Sequence, residues 1–193
     1  IRFVVLAMHP RLAVRHWRYN DRKAVPDPAF PKALNDKWLW RKVFERNPAL
    51  TRVTDKLGVR GWLADAGIDV NTPKVLWVGK SAEDIPANVL EAPVVVKVNH
   101  GYAMNIFLDA APDDRDAFNA TANSFLERSH GRRSLQWAYF DVEPKLFVEE
   151  MLTNLEVELK FYCFGSRVER LITIFDRQSE NGSADVWVRG PEG

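Results

Sequence analysis

The last third of the sequence is dense in strand-forming segments, and this feature restricts the fold more than any other. Runs of apolar or alternating residues occupy positions 145–149, 156–164, 167–175 and 184–188. The two middle runs are separated by Gly165-Ser166, which predicts a tight turn between antiparallel strands. We therefore expect the four segments to form one antiparallel meander.

The first two thirds of the sequence predict helices that alternate with strands. Apolar residues recur every three to four positions in segments 32–44, 51–66 and 113–128, which predicts three helices. The run Val94-Val95-Val96 predicts a buried strand, and we expect residues 105–108 to return beside it as a hairpin. Helices and antiparallel strands that occupy separate stretches of a chain indicate the α+β class.

Composition excludes several classes of function. Lys and Arg number 27 against 26 Asp and Glu, so no global charge favours nucleic acid or an anionic membrane surface. Cys163 is the single cysteine, which excludes an internal disulfide framework and suits a reducing, cytoplasmic location. No apolar run beyond residue 10 approaches the length of a membrane span, so we expect no stable membrane insertion. The composition leaves the oligomeric state open.

Lys97 is the first candidate for binding an anion. It follows three valines and precedes the turn Asn99-His100-Gly101, whose backbone N–H groups can face a phosphate. Lys56 falls in the first turns of the predicted helix 51–66, where the helix dipole disfavours a cation unless an anion compensates it. The alternatives are a surface lysine at a strand end, an ordinary hairpin turn, and a solvated lysine beside Asp55.

Two adjacent carboxylates, Glu149 and Glu150, end an apolar segment where the chain is expected to pass between lobes. Such a crevice is a common cofactor site. The Glu149 side chain can accept a hydrogen bond from an exocyclic amine, and the backbone of Glu150 and Leu152 can satisfy the edge of a purine. A polar hinge without a ligand is the alternative.

Two cations of the last third complete the set of candidates. Lys160 alternates with apolar neighbours, and Arg177 follows Asp176 at the end of an apolar run. An arginine there suits bidentate recognition of phosphate or carboxylate. The alternative is a surface pair of Asp176 with Arg177, which stabilises little.

Taken together, these segments resemble the TupA-like ATP-grasp family, named for a protein of teichuronopeptide biosynthesis in bacterial cell walls. The resemblance extends from about residue 31 to residue 177 and rests on the order and spacing of short motifs. These are Leu34-Asn35-Asp36-Lys37 with Trp40, Arg46-Asn47-Pro48 to Leu50-Thr51, Asp55-Lys56 with Val59-Arg60, Val96-Lys97, Asn99-His100-Gly101, Asn105-Ile106, Glu149-Glu150 to Leu152, Lys160-Phe161 to Cys163-Phe164, and Asp176-Arg177.

The resemblance implies an ATP-grasp fold of two lobes with antiparallel sheets and flanking helices. It divides the chain into a helical or extended segment 1–50, a small α/β lobe 51–148 and the start of a second β-rich lobe 149–193, expected to be incomplete. The implied nucleotide-binding residues are Lys56, Lys97, His100, Gly101, Glu149, Glu150 and Leu152, and the implied catalytic residues are Lys160 and Arg177.

The implied reaction is the ATP-dependent joining of a carboxylate to an amine through an acyl phosphate, with Mg²⁺ as cofactor. A polysaccharide or sugar acid and an amine or amino acid would be the substrates. The magnesium ligands are unassigned. The alternatives are a glycosyltransferase or sugar kinase of polysaccharide biosynthesis, and a non-catalytic nucleotide-binding module. The latter is favoured by the missing magnesium ligands and by Tyr102-Ala103-Met104, which is bulkier than the small residues usual in the family's phosphate-covering loop.

Overall fold

The computed structural model describes residues 30–128, 130–131, 135–153, 155–176 and 182–190. Arg177 lies outside these ranges. The chain forms two compact units that divide between Met151 and Leu152. The functional division predicted at residue 149 remains a prediction.

The described residues of the first unit contain four α-helices: α1 (Leu34–Phe44), α2 (Ala49–Thr54), α3 (Gly58–Asp65) and α4 (Arg115–Glu127). The prediction of one continuous helix over 51–66 was wrong, because the chain leaves the helical conformation at Asp55. The Asp55 carboxylate accepts the N–H of Leu57 at 2.9 Å, a local bond that competes with helix continuation. Lys56 therefore lies in a break between two helices and not in the first turns of one.

The first sheet has four antiparallel strands: β1 (Val75–Gly79), β2 (Val94–Val98), β3 (Asn105–Leu108) and β4 (Leu146–Glu150). Their order is β1-β4-β2-β3, so the β2–β3 hairpin is confirmed. The prediction that 145–149 begins the carboxy-terminal meander was wrong, because this segment lies between β1 and β2. As a central strand β4 is paired at both edges, and its first four residues are all buried.

The core of this unit lies between the sheet and α4. Val94, Val96 and Val98 alternate along β2 and are at most 1% exposed. They pack in one cluster with apolar residues of β4 and α4, which are Leu146, Val148, Phe118, Ala122 and Phe125. The Asp114 carboxylate accepts the N–H of Ala117 at 2.9 Å and caps the start of α4.

The second unit contains the remaining strands, β5 (Val157–Phe164), β6 (Arg167–Phe175) and β7 (Ser183–Val188). They form an antiparallel sheet in that order, as the sequence predicts. Gly165 has φ +61° in the turn between β5 and β6, a conformation that glycine adopts without strain. The two antiparallel sheets with accompanying helices confirm the α+β class, and no described helix has the length and apolar character needed to cross a membrane.

Candidate functional site

The candidate site is built around the six-residue loop that joins β2 to β3. Lys97 pairs with Asn105 where the loop closes, and its side chain is three-quarters buried. The loop begins with Asn99 and His100, which are 1% and 5% exposed. A buried loop must satisfy its own polar groups, so its conformation is set by specific hydrogen bonds.

Asn99 fixes the start of this loop to two other segments of the chain. Its amide donates to the Asp55 carboxylate at 3.1 Å and to the Glu143 carbonyl at 3.0 Å, and its side-chain oxygen accepts the N–H of Lys145 at 2.8 Å. The Asn99 carbonyl accepts the N–H of Lys56 at 3.2 Å. The loop is therefore fixed to the α2–α3 break on one side and to the residues before β4 on the other.

Lys56 reaches from the helix break to the loop. Its ammonium donates to the Val98 carbonyl at 3.1 Å and to the Gly101 carbonyl. An ammonium carries three N–H donors, so two carbonyl partners leave one N–H for a further acceptor. The ammonium can therefore hold the loop and still donate to an anion.

Lys97 forms an ion pair with Glu149 across the sheet, between β2 and β4. The second oxygen of Glu149 accepts from the Arg60 guanidinium at 2.9 Å, and the Glu149 side chain is only 7% exposed. One buried carboxylate thus joins two cations, Lys97 and Arg60, that are each about three-quarters buried. Each carboxylate oxygen has a second lone pair, so the predicted bond from an exocyclic amine to Glu149 remains a prediction.

The two lysines raise the positive potential at the loop. Burial lowers the pKa of Lys56, and the nearby charge of Lys97 lowers it further, while Asp55 and Glu149 act in the opposite direction. Two cations held close together in a partly buried site repel each other, and a bound anion would relieve that repulsion. The charge arrangement therefore favours an anionic ligand beside the loop.

His100 anchors the loop to the end of α4. Its Nε2 lies 3.2 Å from the Arg128 carbonyl, a partner that requires Nε2 to carry the proton. Nδ1 is then an acceptor, and it is buried with no hydrogen-bond partner among the residues that the structure describes. Burial lowers the pKa of His100, with a smaller contribution from the charge of Lys56, so the ring is held neutral.

Gly101 and Met104 form the inner side of the loop. A Cβ at Gly101 would collide with the terminal methyl of Met104, which is 5% exposed and belongs to the core. Tyr102 projects outward and is 70% exposed, and Ala103 has φ +55°. Of the three bulkier residues noted in the sequence, Met104 thus packs inward, and Tyr102 is the large side chain that projects from the loop.

The structure brings together Lys56, Lys97, His100, Gly101 and Glu149 in the first unit. The exposed Glu150 follows on β4, where its N–H donates to the Lys74 carbonyl at 3.0 Å.

Leu152 and Lys160 belong to the second unit. The Lys160 ammonium lies 3.5 Å from a Glu158 oxygen in a partly exposed pair. The roles of Leu152, Lys160 and the undescribed Arg177 remain predictions.

Arg60 and Asn99 contribute to the site in ways that sequence reasoning missed. Arg60 follows Lys56 by four positions, but only Arg60 belongs to a helix, so helical spacing does not relate the two side chains. The bond from Arg60 to Glu149 spans 89 positions, and no local pattern could reveal it. The sequence predicts Asn99 only as a turn residue, whereas its buried amide forms hydrogen bonds to two distant segments of the chain.

Within the described ranges, no group of three or more His, Cys, Asp or Glu side chains is placed to hold a metal ion. The structure therefore assigns no magnesium ligands.

Comparison with protein families matches residues 36–187 to the family described as TupA-like ATPgrasp. A comparison with curated proteins gives no match. The matched range covers more than half of the chain and includes both sheets except Val188, together with every described residue of the loop site. The chain belongs to the TupA-like ATP-grasp family.

Proposed function

We propose that this chain binds ATP at the β2–β3 loop and uses it to join a carboxylate to an amine through an acyl phosphate. The observation that carries the proposal is that Lys56 and Lys97 lie near each other beside a buried loop in a member of the ATP-grasp family. ATP-grasp proteins are generally ligases that bind ATP with Mg²⁺, and we extend this activity to the present chain.

The loop residues fit the phosphates of a nucleotide. Lys56 and Lys97 supply positive charge, and Gly101 leaves room for the terminal methyl of Met104. The anchors at Asn99 and His100 fix the loop before a ligand arrives, which lowers the entropy lost on binding. When bound, Mg²⁺ would neutralise phosphate charge, and its ligands are unassigned.

In the proposed reaction a carboxylate oxygen of the substrate forms a bond to the γ-phosphorus, and the bond to the β–γ bridging oxygen breaks to release ADP. The amine then attacks the acyl carbon, inorganic phosphate leaves, and the nitrogen loses a proton. Negative charge develops on phosphoryl oxygens, so fixed cations such as Lys56 and Lys97 would stabilise the transition state electrostatically. No covalent protein nucleophile is required.

We further propose that the reaction takes place in the cytoplasm and serves cell-surface polysaccharide biosynthesis, with a sugar acid and an amine or amino acid as substrates. This part rests on the family's association with cell-wall biosynthesis. Lys160 and Arg177 would act at the acyl-phosphate end, and the backbone of Glu150 and Leu152 would bind the purine.

Calorimetric titration with Mg²⁺-ATP tests the proposal. The parent chain should bind, and Lys97→Met and Lys56→Met should each weaken binding by about tenfold or more, because each removes a charge-assisted contact. Lys74→Met is the matched control, since this lysine is exposed beside β1 and has no place in the loop. Equal loss in the control and the site variants, or no binding by the parent, would contradict the proposal.

Turnover distinguishes a ligase from the other functions. Hydroxylamine added with ATP and a candidate acid should trap the acyl phosphate as a hydroxamate, with ADP released in equal amount. ADP formation together with a stable phosphorylated sugar would indicate a kinase. ATP binding without turnover over a panel of acids and amines would favour the non-catalytic module.

A further inference from the structure

The two cations beside Glu149 are held in the structure in different ways. Each carboxylate oxygen accepts from one of them, Oε1 from the Lys97 ammonium and Oε2 from the Arg60 guanidinium at 2.9 Å. The Glu149 side chain is 7% exposed, so its charge has lost most of its hydration and depends on these partners. The other contacts of each cation decide which of the two can leave the carboxylate.

Arg60 is fixed at three points. Its Nη1 donates to the Thr72 hydroxyl and to the Pro73 carbonyl, both at 2.8 Å, while Nη2 donates to Glu149. A guanidinium is planar and holds its N–H donors in a rigid fork, so it cannot turn away from one partner without breaking the bonds to the others. Arg60 is therefore the permanent partner of Glu149, fixed between α3 and the segment that precedes β1.

Lys97 is held by a single partner. Among the described residues, its ammonium donates only to Glu149. An ammonium is a compact charge on a flexible four-carbon chain, and rotation about the side-chain bonds can bring it to another acceptor. Because Lys97 pairs with Asn105 where the β2–β3 loop closes, its side chain begins at the base of the proposed phosphate site.

A phosphate at the loop would compete with Glu149 for the Lys97 ammonium. If Glu149 had no other partner, the departure of Lys97 would leave a buried carboxylate ionised and unpaired, which is strongly unfavourable. The Arg60 guanidinium stays on the other oxygen and keeps that charge neutralised. Arg60 thus lowers the cost of releasing Lys97 to a ligand.

We propose that nucleotide binding exchanges the counterion of Lys97, an inference that rests on the proposed ATP binding at the β2–β3 loop. Glu149 holds the Lys97 ammonium when the site is empty, and Arg60 neutralises Glu149 when that ammonium turns to the phosphates. The exchange makes and breaks no covalent bond. Arg60 is a positioning residue, because it acts on the nucleotide only through Glu149 and Lys97.

Calorimetric titration with inorganic tripolyphosphate tests the exchange. This probe carries the phosphates without a purine, so its affinity is independent of any contact between Glu149 and a base. Arg60→Met should weaken its binding about tenfold, because the departure of Lys97 would then leave Glu149 unpaired. Glu149→Gln should strengthen its binding about threefold or more, because an amide competes less well than a carboxylate for the ammonium.

The decisive measurement is the effect of Arg60→Met in a chain that already carries Glu149→Gln. Without a carboxylate to neutralise, the loss of Arg60 should change the affinity by less than about twofold, although the same positive charge is removed. A structural role of Arg60, or a direct contact of Arg60 with phosphate, predicts the same tenfold loss in both backgrounds. Arg60→Lys keeps a cation beside Glu149 and should stay within about threefold of the parent chain.

Helix α2 supplies the matched control. Arg52→Met removes an arginine whose guanidinium pairs with Asp65 at 2.5 Å on the surface, and it should leave the affinity unchanged. Far-UV circular dichroism establishes that each variant is folded. Arg60→Gln replaces Arg60→Met if the latter does not fold, because the glutamine amide can still donate in this position and carries no charge.

Three results would overturn the exchange: equal effects of Arg60→Met in both backgrounds, no effect in either, or weaker tripolyphosphate binding by Glu149→Gln. If the parent chain still binds Mg²⁺-ATP, any of these leaves the proposed function intact. Tripolyphosphate binding that depends on Arg60 without any ATP binding would contradict the proposed function and support the exchange at a polyphosphate site. A parent chain that binds neither ligand would contradict both proposals.

Discussion

Replacing Glu149 with alanine is expected to destabilise the first unit more than replacing its cationic partner Lys97. The Glu149 side chain is 7% exposed and lies between Arg60 and Lys97, which are 25% and 24% exposed. Removing the carboxylate leaves two largely buried cations without their shared anion, at a cost of about 3–5 kcal/mol. Lys97→Met leaves Glu149 paired with Arg60, so we expect about 1.5–3 kcal/mol.

Urea denaturation with hydrogen exchange of the β4 amides measures this difference. Exchange at β4 is needed because a chain of two units need not unfold in a single transition. Glu150→Ala is the control, since Glu150 is exposed on the same strand and its loss should change the free energy of unfolding by less than about 0.5 kcal/mol. A loss of less than about 1 kcal/mol in the free energy of unfolding for Glu149→Ala would refute the reasoning about Glu149 and its two cationic partners.

Two further predictions concern the loop anchors. Burial lowers the pKa of His100, so below about pH 6.5 the unfolded chain binds a proton that the folded chain resists, and the free energy of unfolding falls as pH decreases. Urea denaturation at pH 7.5 and 5.5 should show a smaller fall in the free energy of unfolding for His100→Gln than for the parent chain. The lowered pKa of His130 adds a similar pH dependence to both proteins. The same fall in both proteins would contradict a buried neutral His100. Asn99→Leu should cost about 2–4 kcal/mol in the same assay, because it leaves buried partners unpaired, and a change near zero would show that water replaces the amide.

Local patterns in the sequence predicted the features that depend on near neighbours. The β2–β3 hairpin and the β5–β6 turn were predicted correctly. The strand propensity of valine and the turn at Gly165 each depend only on residues that are close in the sequence. The position of Lys97 near the end of its strand followed from the same reasoning.

Features that depend on distant partners could not be predicted. The apolar pattern around Phe147 is compatible with a strand in either sheet. Its place between β1 and β2 buries side chains on both faces of the strand, and this depends on partners that are distant in the sequence. The break at Asp55 interrupts a periodic helical pattern, and the carboxylate's bond to Asn99 spans 44 positions. The pairing of Arg60 with Glu149 is equally non-local, so the charge balance of the candidate site required the structure.

The central place of β4 also bears on how the protein is made. During translation β1, β2 and β3 are synthesised before β4. However, β1 and β2 do not pair with each other, and both pair with β4. Until then both present open edges that invite pairing with other nascent chains. Insertion of β4 pairs one edge of each strand, and β4 is the last of the four strands to be synthesised, so the first unit should fold late and as a whole.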